Sequence, residues 1–141
     1  MKKAKRIFVG LKTLDHAVEL TDLACRIGAH NAAIVLAHVI ELPDVTPLDA
    51  DLPDLEANAE KILRAAERVA RRSKMRVHRL VVRAHSAGNA LLEEMKEEKC
   101  DLAVLGYHHR RSLGEILLGT TAQHITKHAP CHVVLSIPPR A

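Results

Sequence analysis

Aromatic residues are almost absent from this chain of 141 residues, which has one Phe, one Tyr and no Trp. Proteins that hold single-stranded nucleic acids stack the bases on aromatic side chains. The composition therefore excludes a platform of that kind, and we expect no nucleic-acid partner. The net charge of +4 favours anionic partners in general, including nucleotides, although the basic residues are scattered along the chain.

Long hydrophobic runs are also missing. The first apolar run covers residues 7–11 and contains Gly10, so it is too short for a signal peptide or a membrane span. Cysteine is scarce and odd in number, and each one stands inside an apolar pattern: Cys25, Cys100 and Cys131. Such cysteines are typical of small buried thiols in a reducing compartment. We therefore expect a cytoplasmic protein without a membrane partner.

What the chain does contain is a regular alternation of short apolar runs and helical patterns. The runs that predict strands cover residues 7–11, 33–40, 75–82, 102–105 and 132–137. Continuous apolar strands separated by helices are typical of a parallel sheet covered on both faces. The sequence predicts one α/β domain over residues 1–141, with an open doubly wound sheet of five strands. The charged third run, which contains Arg76, His78 and Arg79, suits a sheet edge.

Several boundaries follow from capping and turn residues. Asp15 is placed to cap the first helix and Gly28 to end it, while Ser86 can cap the third helix. The segment from Glu41 to Pro53 contains three prolines and several acids, which predicts a loop.

The segment from Gly106 to Thr121 carries the strongest functional signal. It follows a predicted strand, contains a basic run over residues 108–111, and ends in Gly119-Thr120-Thr121 at the start of a helical pattern. Free N–H groups at a helix start, with glycine beside them, bind phosphate. The alternative is an ordinary strand-to-helix connection with a Thr cap.

The topology places this segment at a predicted ligand site. An open doubly wound sheet binds ligands beyond the carboxyl ends of its strands, where the strand order reverses. If the first strand is central, the crevice lies between its end at Leu11-Lys12 and the end of the fourth strand at Gly106. The apolar run before His38-Val39-Ile40 ends at the same edge.

The C-terminal block resembles the universal stress protein family. The residues that carry the resemblance are Glu-Ile-Leu-Leu-Gly-Thr at 115–120 and Lys-His-Ala-Pro-Cys-His-Val-Val at 127–134. The similarity extends over essentially the whole chain. It implies a five-stranded parallel sheet in the order 3-2-1-4-5 and a homodimer built around the last strand.

The nucleotide-binding branch of that family carries Gly, two residues, Gly, nine residues, and then Gly-Ser or Gly-Thr. Gly106 and Gly119-Thr120 match this pattern, whereas His109 stands at the middle glycine. Lys12 replaces the Asp that usually receives adenine, and an ammonium has no acceptor for the adenine amino group. Nevertheless, the resemblance implies a site for ATP, ADP or AMP formed by nine residues: Leu11, Lys12, Val39, Gly106, His108, His109, Gly119, Thr120 and Thr121.

Two functional hypotheses follow from the resemblance. The first is a regulator of the stress response linked to an adenine nucleotide or a phosphate anion. The second is a dimeric interaction module of the same family that binds no nucleotide. Neither predicts catalytic residues, and at most slow ATP hydrolysis is expected, with the Mg²⁺ requirement left open. His124 and His128 share a helix face at a spacing that suits zinc, but no second ligand pair accompanies them, so no metal site is predicted.

Overall fold

A computed structural model describes residues 3–106 and 120–137, and within these ranges five strands alternate with four helices. In chain order the elements are β1 (Ala4–Gly10), α1 (Leu14–Ile27), β2 (Gly28–Glu41), α2 (Pro53–Arg72), β3 (Arg76–Ala84), α3 (Ala87–Glu97), β4 (Leu102–Gly106), α4 (Thr120–His128) and β5 (His132–Ser136). No helix in the described ranges is both long enough and apolar enough to cross a membrane.

The five strands form one parallel sheet in the order β3-β2-β1-β4-β5. This order confirms the predicted architecture and makes β1 the central strand. Gly10, the last residue of β1, lies opposite Ala37 of β2 on one side and Leu105 of β4 on the other. The carboxyl ends of the three central strands therefore meet at one edge of the sheet.

Two hydrophobic cores lie on opposite faces of the sheet. Successive side chains of a strand point to opposite faces, and β1 follows this rule. Ile7 and Val9 belong to the core beneath α1 and α2, whereas Phe8 belongs to the core beneath α3 and α4. All three side chains are fully buried. This double burial explains why residues 7–9 of β1 are continuously apolar rather than alternating.

The beginning of β2 differs from the predicted boundary at Ala33, because the strand already starts at Gly28, directly after α1. The pairing with β1 shifts register there, with Ala4 opposite Gly28 but Arg6 opposite Ala33. Asn31 takes a left-handed φ of 60° inside this irregular stretch, a conformation that asparagine tolerates well. Residues 28–31 lack an apolar pattern, so only the tertiary pairing reveals them as strand.

The cap of α1 also differs from the prediction. The helix starts at Leu14 with Thr13 as its N-cap residue, and Asp15 lies in the first turn. There Asp15 interacts favourably with the positive end of the helix rather than capping it. The other two boundary predictions are confirmed, because Gly28 follows the last residue of α1 and Ser86 caps α3.

β3 forms one edge of the sheet, as its charged residues predicted. Two of its arginines reach across to carboxylates of α2, since Arg83 pairs with Glu56 at 2.8 Å and Arg79 pairs with Glu60. Arg83 also donates from Nη1 to the carbonyl oxygen of Leu48 at 3.0 Å and to that of Ala50. The edge strand thus anchors both α2 and the loop before it.

Candidate functional site

The predicted site residues that the structure describes gather at the carboxyl edge of the sheet. Leu11 is buried, its N–H donates to the carbonyl oxygen of Ala37 at 2.9 Å, and Lys12 beyond it is exposed. Val39 is half-buried and packs against the core beneath α3 and α4. Gly106 ends β4, where a Cβ atom would lie 3.0 Å from Cδ1 of Leu20.

Of the remaining predicted residues, three lie outside the described residues and two begin α4. His108, His109 and Gly119 lie outside the described residues, together with the basic run at 108–111. Thr120 and Thr121 form the first turn of α4, where Thr120 is exposed and Thr121 half-buried.

A cleft of about 260 Å³ opens at this edge, on the side of the sheet covered by α3 and α4. Its described lining consists of Glu41, Ser86, Gly88, Asn89, Thr120, Thr121 and His124. Of the predicted residues, Thr120 and Thr121 belong to this lining, whereas Leu11, Lys12, Val39 and Gly106 do not. Sequence reasoning therefore found one wall of the cleft and missed the others.

Glu41 is the most informative of the missed residues. It is the last residue of β2, and its Oε2 accepts a hydrogen bond from the backbone N–H of Ala87 at 2.7 Å. That N–H is one of the unpaired donors at the start of α3, so the carboxylate compensates the positive end of this helix. In the sequence, Glu41 opens a segment of prolines and acids, which gave no reason to distinguish it from its neighbours.

Ser86, Asn89 and His124 also line the cleft. One hydrogen bond joins α3 to α4 and another caps α3. Nε2 of His124 lies 2.6 Å from Oδ1 of Asn89. An amide oxygen only accepts, so the imidazole donates in this pair. The Ser86 side chain accepts from the backbone N–H of Asn89 at 3.4 Å. Gly88 leaves room for this contact, since a Cβ atom there would lie 3.0 Å from Cδ2 of His124.

The hydroxyl of Thr13 is a further polar group at this end of the molecule. Its Oγ1 is buried and has no hydrogen-bond partner among the described residues. A buried hydroxyl without a partner costs about 1–3 kcal/mol. Thr13 follows Lys12 directly, so this cost falls at the end of β1.

The two helical histidines do not build a metal site with their described neighbours. The ring centroids of His124 and His128 are 4.9 Å apart, which shows that they share a face. Yet the described residues contain no cluster of three or more His, Cys, Asp and Glu side chains able to hold a metal ion. His124 instead uses Nε2 to bridge α4 and α3.

The cysteines are poor candidates for nucleophiles. Cys25 and Cys100 are buried and Cys131 is half-buried. Burial raises the pKa of all three thiols, and it raises the pKa of Cys100 to about 12. At neutral pH the thiolate, which is the reactive form, is therefore scarcely populated.

Comparison with known proteins identifies relatives of the whole domain. The family model described as "Universal stress protein family" matches residues 3–136. A relative from Thermus aquaticus, described as "Universal stress protein in QAH/OAS sulfhydrylase 3′ region", is 29% identical over 136 residues, which are 93% of this chain and 97% of the relative.

Two solved structures show the same fold at lower identity. A universal stress protein in complex with cAMP matches with a TM-score of 0.72 and 21% identity, covering 96% of this chain and 98% of its own. The universal stress protein from Archaeoglobus fulgidus in complex with dAMP matches with a TM-score of 0.68 and 18% identity, covering 92% of this chain and 95% of its own. With the family model spanning nearly the entire sequence, this chain belongs to the universal stress protein family.

Proposed function

We propose that this protein binds an adenine nucleotide, ATP, ADP or AMP, and acts as a homodimeric cytoplasmic regulator in the stress response. The observation that carries the proposal is the position of Thr120 and Thr121. They form the first turn of α4 and also line the cleft at the carboxyl edge of the sheet. Phosphates bound there would accept hydrogen bonds from the backbone N–H groups of that turn.

The charges around the two helix starts favour α4 over α3 as the seat of the phosphates. The first turn of α4 contains no acidic residue. At α3, the carboxylate of Glu41 already accepts from the N–H of Ala87. An anion is therefore attracted to the start of α4 and repelled from the start of α3.

The relatives add support from the ligands that their descriptions name. Both cAMP and dAMP are adenine nucleotides with a single phosphate. The cleft of about 260 Å³ is smaller than the roughly 300–1,000 Å³ of pockets that enclose a whole small molecule. The described walls would therefore surround part of a nucleotide, with its base continuing toward Lys12 and Val39.

Lys12 is the observation that favours the alternative, a dimeric interaction module without a nucleotide. Its ammonium can donate to a phosphate or a ring nitrogen but cannot accept from the adenine amino group. Thermal unfolding with ATP, ADP and AMP separates the two hypotheses, because a ligand that binds the native state raises its stability. At about 100 times the dissociation constant the gain is about 2.7 kcal/mol. No rise in Tm with any of the three would favour the interaction module.

A pair of charge variants tests the phosphate position. Thr120→Glu places a carboxylate at the start of α4, which should stabilise the free protein by about 0.3–1 kcal/mol while repelling a phosphate. Thr126→Glu adds the same charge to the same helix, away from the cleft. We expect the nucleotide-induced rise in Tm to fall in Thr120→Glu alone. An equal response in both variants would contradict this placement.

The two departures from the family pattern supply a complementary test. If Lys12 and His109 weaken binding, the double variant Lys12→Asp and His109→Gly should respond more strongly to AMP than the original chain. If neither the original nor the double variant responds, the proposed site geometry is wrong.

The proposed homodimer rests on β5, which pairs only with β4 among the described strands and leaves its other edge open. Ile137, just beyond β5, is 45% exposed. Light scattering coupled to size exclusion should give twice the 15.5 kDa mass of one chain. Ile137→Glu should shift the equilibrium toward monomer, whereas a monomeric original chain would contradict the proposal.

A further inference from the structure

The described lining of the cleft contains no Lys or Arg. It combines one carboxylate, from Glu41, with the neutral polar side chains of Ser86, Asn89, Thr120 and Thr121 and the imidazole of His124. A wall of this kind is poorly suited to surrounding a phosphate on all sides. It is well suited to hydroxyl groups, because each hydroxyl both donates and accepts.

Glu41 offers one carboxylate oxygen to such a ligand. Oε2 is engaged by the N–H of Ala87, whereas Oε1 has no hydrogen-bond partner within residues 3–106 and 120–137. The bond to Ala87 fixes the direction of the carboxylate by tying it to the start of α3. Oε1 is thus an acceptor on a lining residue whose carboxylate is held in place. In the dinucleotide-binding doubly wound fold, a carboxylate of this kind accepts from a ribose hydroxyl.

Asn89 offers the complementary donor. Its Oδ1 accepts from His124, which directs the amide plane, and its Nδ2 has no partner among the described residues. An amide nitrogen only donates. Glu41 and Asn89 therefore contribute an acceptor and a donor to the lining of the same cleft, and a pair of neighbouring hydroxyl groups can use both.

We propose that Glu41 and Asn89 recognise the sugar hydroxyls of the bound nucleotide, so that the site selects ribonucleotides over deoxyribonucleotides. This inference rests on the nucleotide binding proposed above. Oε1 of Glu41 accepts from a ribose hydroxyl and Nδ2 of Asn89 donates to its neighbour, while the phosphate lies at the start of α4. The negative charge of Glu41 reinforces this orientation, since it keeps the phosphate at the far end of the cleft.

The test compares AMP with 2′-deoxy-AMP and 3′-deoxy-AMP by isothermal titration calorimetry on the full chain. Hydrogen bonds to charged groups contribute about 1.5–3 kcal/mol, so at least one deoxy analogue should bind about tenfold or more weakly than AMP. Glu41→Ala should bring the dissociation constant of the analogue that lacks the Glu41-bound hydroxyl close to that of AMP. Glu41→Gln, which keeps the shape, should also weaken the discrimination, because its one oxygen is taken by the N–H of Ala87 and the amide nitrogen left for the ligand donates instead of accepting.

Asp44→Asn serves as the matched control. Asp44 is an exposed acid in the loop after β2 and does not line the cleft, so its removal should leave the ratio of affinities unchanged. Equal affinities for all three nucleotides in the original chain would overturn the sugar assignment and leave nucleotide binding intact. Absence of binding by AMP, ADP and ATP alike would overturn both proposals. The comparison of AMP with its deoxy analogues uses the original chain. It therefore tests the sugar assignment even if Glu41→Ala does not fold.

Discussion

The imidazole of His38 and the carbonyl oxygen of Leu11 join the ends of the two central strands β2 and β1. Nδ1 of His38 lies 2.8 Å from this oxygen, and the ring is buried. Since a carbonyl only accepts, Nδ1 carries the proton. Together with the bond from Leu11 N–H to Ala37, this contact holds both backbone groups of Leu11 against β2. The chain is thereby fixed directly before Lys12.

Replacing His38 by Phe should lower the free energy of unfolding because it removes the hydrogen bond to Leu11. The ring keeps a similar shape, but the carbonyl oxygen of Leu11 loses its donor, which should cost about 1–3 kcal/mol. Urea unfolding measures the change. His30→Ala is a suitable control, because His30 is exposed near the start of the same strand. A His38→Phe variant as stable as the control would show that the bond contributes little.

Gly88→Ala should change the cleft more than it changes stability. Alanine improves helix propensity by about 1 kcal/mol, but its Cβ would lie 3.0 Å from Cδ2 of His124. The ring must therefore shift by a few tenths of an ångström, which should alter the geometry of its bond to Asn89. NMR of the His124 imidazole reports this shift, and Asn89→Ala should produce a similar spectral change without added bulk. An unchanged imidazole spectrum in Gly88→Ala would contradict the described contact.

Arg83→Lys should loosen the loop between β2 and α2. The guanidinium bridges Glu56 and the carbonyl oxygens of Leu48 and Ala50, and a lysine cannot reproduce this forked arrangement. Hydrogen exchange should accelerate at the amide of Ala50, which donates to Pro47 within the loop. Arg64→Lys is the control, since within the described part of the chain Arg64 pairs with Glu60 alone, one turn away on α2. Equal exchange in the two variants would show that Arg83 does not hold the loop.

Cys100 should make the fold less stable at alkaline pH. Burial raises its pKa from 9.0 to about 12 in the folded protein, so between these values the folded state holds a proton that the unfolded chain has released. The contribution of this thiol to the free energy of unfolding is therefore fully present below about pH 9. It falls as pH rises, by up to about 1.4 kcal/mol per pH unit. Cys100→Ala should show a shallower loss between pH 9 and 11 in urea unfolding. If the original chain and Cys100→Ala lost stability equally with pH, Cys100 would not be the source of the loss.

The architecture could be predicted from the sequence because the three central strands carry runs that are apolar on both faces and each helix has one apolar stripe. Ile7, Phe8 and Val9 illustrate this, since both cores draw on the same short run. The predicted boundaries of elements were wrong where tertiary contacts override the local sequence pattern. Gly28 begins β2 through pairing with Ala4, which no feature of residues 28–31 announces.

The cleft was predictable only where it follows the chain locally. Thr120 and Thr121 stand in a recognisable glycine-to-helix motif, and Ser86 is a cap with its own sequence signature. Asn89 and His124 are 35 positions apart and meet only because α3 and α4 pack together. Glu41 acquires its meaning from the N–H of Ala87, 46 positions later. Contacts at such separations leave no trace in spacing or composition.

The interior is divided into two large cores on opposite faces of the sheet and a small third cluster of Ile40, Leu42 and Ala59. This division has a consequence for how the protein can change. The cleft takes its walls from the strand ends and from α3 and α4, whereas Ile62, Leu63 and Ala66 of α2 pack on the opposite face of the sheet. Substitutions beneath α2 can therefore adjust heat tolerance while selectivity for small molecules stays as it was. The stability of the face beneath α2 and the selectivity of the cleft could therefore change independently, in engineered variants or in evolution.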